Sequence, residues 1–385
     1  MFDRWLKPPK RSALILGPRR AGKSTFLKEH FKNFQYVTLD DLDILDLAHK
    51  DPKAILHHAQ RIIIDEIQRV PKLTIAVKFA IDQLGGTVLM SGSSRIGLLD
   101  ATADSLAGRI DLLEMPPACW GEAQGAPTHS IFDDEVTPPK LKAAARDLES
   151  FLMFGGFPEV VSAEHDEQKR EILRNYKNTY FTRDLSLLSN IEDVSGLRAI
   201  LQHYGRSLGA VTHVTNFQQE ANVSHITAKK YLHSIYQSGL GFTLAGYQHG
   251  PAKRYVKGTK SYYCDTGMIT ALEVQCSRGQ IVENFVISEI EKRRKLGWFR
   301  TDQLFFYKSS SGFEIDVIIE EPRGALKAVE IKATANPAPK DVHALQEFVA
   351  MDPKKRRGFL FYMGTEYRKL GTVRCVPIAA IYRGR

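Results

Sequence analysis

Residues 12–25 read SALILGPRRAGKST. A short apolar run, Ser12 to Leu16, leads directly into Gly17-Pro18-Arg19-Arg20-Ala21-Gly22-Lys23-Ser24-Thr25. The run is of buried-strand type, and a helical stretch follows the loop to about Phe31. The two glycines let the backbone close on itself, so that loop and helix-start N–H groups point at an anion. In this strand–loop–helix setting, G-x-x-x-x-G-K-[ST] predicts a cradle for the phosphates of ATP, with Mg²⁺ beside them. Gly17 through Thr25 form the cradle. Lys23 reaches the β- and γ-phosphates, Ser24 holds Mg²⁺, and Thr25 lies near the α-phosphate.

A second apolar run, Arg61–Asp65 (RIIID), ends in Asp65-Glu66, with room for one intervening strand over residues 34–39. Carboxylates at the carboxyl end of an aliphatic strand suit a parallel sheet whose ligand crevice lies at that edge. Asp65 is expected to steady Mg²⁺ through water, and Glu66 to orient and activate the attacking water. A third strand, residues 87–90, ends in Ser91-Gly92-Ser93. A hydroxyl there, from Ser91 or Ser93, senses the γ-phosphate or holds the water, unless the segment is a simple turn. Residues 95–109 read as a helix ending at Gly108-Arg109, before a strand at 110–114.

The segments GPRRAGKST, IIIDEIQRVP, VLMSGSSR and SLAGR together resemble prokaryotic AAA-class ATPases of the archaeal-ATPase-like group. The resemblance implies a P-loop NTPase domain with a parallel sheet in the order 5-1-4-3-2. It also implies that Arg109, just before strand five, is an arginine finger reaching a neighbouring subunit's nucleotide, hence a homo-oligomer, with a ring as one form. A structural ion pair is the alternative for Arg109. Residues 116–140, rich in Pro, Gly, Ala and acids, read as a loop out of the ATPase core. Helical periodicity returns at 141–153, breaks at Gly155-Gly156-Phe157-Pro158, and resumes over 164–188. The resemblance continues through GGFPEV and YKNTYFTRDL, and implies that these helices cap the nucleotide. It leaves Arg183 between a phosphate-sensing and a packing role.

Residues 192–263 read as helix-turn-helix plus hairpin, a winged helix. Its helices fall at 197–207, 216–221 and 224–237, Ser224 is an N-cap, and two strand-like runs at 241–247 and 254–263 follow. Thr227, Lys229 and Lys230 on the third helix, with Lys253, Arg254, Lys257 and Lys260 on the hairpin, are candidate contacts to DNA phosphates. Protein contact is the alternative use of such a unit.

From residue 279 the order becomes α-β-β-β-α-β: a helix at 280–295, strands at 304–308, 313–319 and 325–333, a helix at 340–351, and strands at 358–363 and 373–382. This resembles the restriction-endonuclease-like fold. Asp316 and Glu330-Ile331-Lys332 have the D…(E/D)-x-K spacing of that superfamily, and strand alternation puts Glu330 and Lys332 on one face. Glu283, Asp316 and Glu330 are candidate metal ligands, and Lys332 would position or deprotonate a water attacking a phosphodiester. The basic runs 292–295 and 354–357 are candidates for guiding a phosphate backbone, or solubilising helix ends.

The expected α/β organisation is therefore an ATPase core at 1–118, a loop and helical lid-like segment at 119–190, a winged helix at 191–275 and a restriction-endonuclease-like domain at 276–385. Composition agrees with folded domains: of 385 residues, 43% are hydrophobic and 25% charged. The net charge is +9, and residues 276–385 carry 20 basic against 13 acidic side chains. That excess points to a polyanionic partner. Four cysteines without a Cys-x-x-Cys pair argue against a disulfide framework or structural zinc. No apolar run reaches membrane-helix length and residues 1–10 lack a signal-type apolar stretch, so no membrane association and a cytoplasmic setting are expected. The sequence thus predicts Mg²⁺-dependent ATP hydrolysis coupled to action on DNA. The alternatives are an ATP-licensed metal-dependent DNA endonuclease and a nucleotide-operated, protein-recruiting switch.

Overall fold

The computed structural model describes residues 2–56, 60–93, 106–184, 193–247, 258–309 and 312–383. The first third builds β1 (Ala13–Leu16), α1 (Lys23–His30), β2 (Gln35–Thr38), α2 (Leu42–Lys50), β3 (Arg61–Asp65), α3 (Leu73–Leu84), β4 (Thr87–Gly92) and β5 (Asp111–Glu114). The five strands form one sheet in the order β2-β3-β4-β1-β5, parallel at every pairing. This is the expected 5-1-4-3-2 order. Alternation along each strand divides the core: Leu14, Ile62, Ile64, Val88 and Met90 face one side, and Ala13, Ile15, Ile63 and Leu89 the other. Strands buried on both faces explain the near-continuous aliphatic runs.

Two helices escape the sequence reading. α2 is capped by Asp41, whose Oδ1 accepts from Asp43 N at 2.9 Å and Ile44 N at 3.3 Å. α3 ends at Gly85, which takes the left-handed φ of 63°. Most of the expected helix at 95–109 lies outside the described residues, as does the hairpin tip carrying Lys253, Arg254 and Lys257.

Next come α4 (Trp120–Ala123), α5 (Pro138–Phe154), α6 (Pro158–Ser162), α7 (Asp166–Tyr176) and a π-helical stretch, Lys177–Asp184. Residues 116–140 leave the ATPase sheet as a mostly irregular stretch, as expected, but apolar side chains along it enter a core. Trp120, Ile131 and Phe132 are at most 1% exposed. Trp120 packs edge-on to Phe285 at 5.9 Å, and Phe132 to Phe359 at 4.9 Å. Their apolar area outweighs the local turn-forming composition.

The remainder runs α8 (Val194–Arg206), β6 (Val211–Thr212), α9 (Val214–Ala221), α10 (His225–Gln237), β7 (Gly241–Gly246), β8 (Thr259–Tyr263), α11 (Gly267–Ala271), α12 (Arg278–Lys295), β9 (Phe305–Lys308), β10 (Glu314–Glu321), β11 (Ala325–Lys332), α13 (His343–Ala350), β12 (Arg356–Tyr362), β13 (Arg368–Leu370) and β14 (Val373–Pro377). The α-β-β-β-α-β order of the last region is present. A single nine-stranded sheet, β13-β14-β12-β11-β10-β9-β7-β8-β6, crosses the expected boundary at 275–276. The join is β7 on β9, parallel, with Ala245 opposite Phe305. Hairpin and last region therefore share one sheet.

Candidate functional site

The loop after β1 is shaped by two close approaches. A side chain at Gly17 would place Cβ 2.0 Å from the Met115 carbonyl oxygen, so only glycine lets β1 and the end of β5 meet there. Gly22 takes φ 94°, and α1 starts immediately after it. No side chain caps α1 and no acid lies in its first turn, so its leading N–H groups face the loop without a competing carboxylate. Lys23 is 5% exposed, and its Nζ donates to the carbonyls of Gly17 at 2.8 Å and Pro18 at 2.9 Å. Burial lowers its pKa to about 8, with Glu66 and Asp65 opposing that fall. A buried ammonium bonded to carbonyls, beside an uncapped helix start, fits a polyphosphate.

Opposite the loop, β3 and β4 deliver the polar groups. Asp65 is 4% exposed, with Oδ1 accepting from Ser91 Oγ and Oδ2 from the Tyr36 hydroxyl. Burial and the Asp65 carboxylate hold the Tyr36 hydroxyl protonated, above its usual range. Glu66 takes the left-handed φ of 59°, unusual for a residue with Cβ and worth about 1 kcal/mol of strain. Its N–H donates to Ser91 Oγ at 3.4 Å, and its Oε2 accepts from Ser93 Oγ at 3.0 Å and from the Gln68 amide. Gln68 also donates to Ser93 Oγ at 2.9 Å, closing a triangle. Gln68 and Tyr36 were not read from the sequence; Gln68 stands two residues after Glu66, the only signal it offered. Ser24 and Asp65 are the residues that would hold a magnesium ion, Asp65 through water because both its oxygens already accept hydrogen bonds.

Downstream segments close over the loop. Arg4 donates to Ala21 O at 2.7 Å and Pro116 O at 2.7 Å, and pairs with buried Glu122 at 3.1 Å. The Tyr176 hydroxyl donates to Arg19 O at 3.2 Å, and Arg20 pairs with Glu159 at 3.0 Å. Gly239, just past α10, lies so near that a Cβ would stand 3.3 Å from Pro18 Cδ. α6 and α7 thus touch the phosphate loop. The side chain of Arg183 lies outside the described residues.

Arg109 lies away from these groups, its Nε bonded to Asp82 on α3 at 2.8 Å and about one-third exposed. On α10, Lys229 and Lys230 are exposed and Thr227 is half-buried. The run at 292–295 is corrected outright. Lys292 and Arg293 are 2% and 0% exposed, paired with Asp265 and Glu289, while Arg294 and Lys295 pair with Glu291. In the run at 354–357, Arg356 is buried and Arg357 pairs with Asp133 at 2.8 Å.

In the last region, Asp316, Glu330, Lys332 and Glu283 fall in one neighbourhood, with Lys332 Nζ 2.6 Å from Glu330 Oε1. Burial, reinforced by Asp316, raises Glu283 to about 7 and Glu330 to about 8. Lys260 of β8, expected with the other hairpin lysines to contact DNA phosphates, is instead buried among these acids, because their carboxylates pair with its ammonium. Among the described residues no three acids, imidazoles or thiols converge as a metal-holding group, which departs from the expected three-acid site. No helix of the described residues is long and apolar enough to cross a membrane.

Comparison with known proteins gives three matched regions. Residues 9–124 match the family described as an AAA domain, which agrees with the loop, the sheet order and the acids above. Residues 145–278 and 278–381 match two families described as domains of unknown function, DUF8612 and DUF4143. Among curated proteins, the chain is similar to an uncharacterized protein of Methanocaldococcus jannaschii, 27% identical over 327 residues, covering 81% of this chain and 72% of that one. It is also similar to uncharacterized proteins of Mycobacterium bovis and Mycobacterium tuberculosis, each 25% identical over 341 residues, covering 84% of this chain and 71% of theirs. The first third is thus a nucleotide-binding domain of AAA ATPase type.

Proposed function

We propose that this chain is a magnesium-dependent ATP hydrolase whose nucleotide state is passed along α10 to a DNA-contacting surface. The hydrolytic part rests on one juxtaposition: the phosphate loop after β1 faces Asp65 and Glu66 at the end of β3, with Ser91 and Ser93 beside them. Lys23 and the N–H groups of the loop bind and orient the phosphates. Bound Mg²⁺ supplies charge neutralisation at the transferring phosphoryl group. Glu66 accepts the proton of the attacking water, and Ser93 with Gln68 fixes where its carboxylate points.

The coupling part is supported by the two ends of one helix. α10 carries exposed Lys229 and Lys230 near its start, and Gly239 just beyond its end abuts Pro18 of the phosphate loop. Thirteen helical residues make a rigid rod of about 20 Å. A shift of Pro18 on loss of the γ-phosphate moves the far end of that rod. Arg109 belongs to the same proposal: in an oligomer it exchanges Asp82 for a neighbour's phosphate.

The test is ATP turnover with and without double-stranded DNA at two salt concentrations. Stimulation that fades as salt rises carries the reading, because phosphate contacts release counterions. Turnover indifferent to DNA at both salts removes DNA from it, and absence of turnover with intact ATP binding leaves the protein-recruiting switch.

A further inference from the structure

The acids of the last region surround a lysine from another part of the chain. Lys260, on β8, is 2% exposed. Its Nζ lies 2.6 Å from Glu314 Oε1, 3.4 Å from Asp316 Oδ1 and 3.8 Å from Glu283 Oε1. Most other oxygens around the cluster have protein partners as well. Glu283 Oε1 accepts from the Tyr262 hydroxyl at 2.8 Å, and Asp316 Oδ2 from the Ile331 N–H at 2.9 Å. Glu314 Oε2 lies 3.5 Å from Lys308, and Glu330 Oε1 accepts from Lys332 at 2.6 Å. Glu330 Oε2 is the one oxygen of the set buried without a hydrogen-bond partner.

We propose that Lys260 is the resident cation of this cluster: its ammonium stands where a divalent metal would have to bind, and closes the carboxylates to metal. A hard dication needs several oxygens at about 2.0–2.6 Å from one point. The point shared by Glu283, Glu314 and Asp316 is already filled by an ammonium, and two cations in that space repel each other. Lys260 cannot withdraw cheaply. Its backbone is paired on both sides, to Val211 of β6 and Leu244 of β7. Its side chain runs beside the Phe306 ring, 5.8 Å from the centroid. Leaving would strand three half-buried carboxylates beside one another. The acid…acid-x-Lys pattern is in this chain an ion-paired joint, fastening the hairpin strand β8 to β10 and α12.

The experiment is Mn²⁺ titration of the nucleotide-free full chain, read by electron paramagnetic resonance, with Asp316→Asn as the paired control so that sites elsewhere cancel. Wild type and Asp316→Asn are expected to bind the same number of ions. Lys260→Met is expected to gain one site, ~10-fold or more tighter than any in wild type, lost again in Lys260→Met with Asp316→Asn. A wild-type site that Asp316→Asn removes overturns the proposal, and so does a folded Lys260→Met protein that gains none. If Lys260→Met does not fold, the comparison of wild type with Asp316→Asn decides alone. These readouts use no ATP, so failure of the hydrolase reading leaves them intact.

Discussion

The hydroxyl of Ser93 donates to Oε2 of Glu66 at 3.0 Å, tying the end of β4 to the residue that follows β3. The bond crosses the carboxyl edge of the parallel sheet, where an open α/β sheet places its ligands. It makes the candidate base and the candidate γ-phosphate sensor a single unit, and the nucleotide chemistry follows from how that unit is loaded and released.

Lys23→Ala should abolish ATP binding, because nothing else in the loop supplies a buried positive charge to the β- and γ-phosphates. Glu66→Gln should bind ATP normally and lose ~10²-fold or more in kcat. Calorimetry for the first and steady-state turnover for the second check this. Unchanged turnover in Glu66→Gln removes Glu66 from the base role.

Gln68→Ala should leave KM nearly unchanged and lower kcat by ~10-fold, the pattern of a lost positioning contact rather than lost binding. Gln68 touches Glu66 and Ser93. A rise in KM with kcat preserved would instead place Gln68 in substrate binding.

Arg4→Met should cost about 3 kcal/mol of stability, because it leaves the fully buried Glu122 carboxylate without its cation. It should also weaken ATP binding, since Ala21 O loses its donor. Denaturant unfolding and nucleotide titration report the two effects separately. A loss below about 0.5 kcal/mol would show the pair to behave as a surface bridge.

Gly239→Ala should cost about 1–2 kcal/mol, because Gly239 has φ 73° and its new Cβ would press on Pro18. DNA stimulation of turnover should fall more than basal turnover does. Equal losses in both would mean that α10 transmits nothing.

Thiol labelling at pH 8 in native buffer should show Cys276 reacting first and the other three only after unfolding. Cys119, Cys264 and Cys375 are buried, and burial pushes the Cys264 thiol up to about 12. The thiolate is the reactive form, so a raised pKa and lack of access act together. Rapid modification of two or more thiols would contradict the packing of Cys119 between α4 and its neighbours.

The amino-acid order was enough for the phosphate loop, the acids after β3 and the strand succession of the first third. Each is a local pattern whose geometry is set within a few residues: glycines where the backbone must close, aliphatic runs where a strand is buried on both faces. The helix-and-hairpin units downstream were legible for the same reason, with ends displaced by a few residues. α2 and α3 were passed over although each has helical spacing and its own cap, Asp41 before one and Gly85 after the other.

What only the folded chain decided is which distant groups meet. Residues 116–140 look like a loop by composition, yet their Trp120 and Phe132 side chains enter another region's core. The basic run at 292–295 looks like a phosphate guide, yet Asp265, Glu289 and Glu291 consume it. Lys260 looks like a phosphate contact on a basic hairpin, yet it is buried among Glu283, Glu314 and Asp316, a place that exists only because β7 joins β9 in one sheet. Backbone closure and strand burial are short-range and written in neighbouring residues. Charge pairing across a core also joins partners far apart in the chain, such as Lys260 and Asp316, 56 residues apart, which no local pattern specifies.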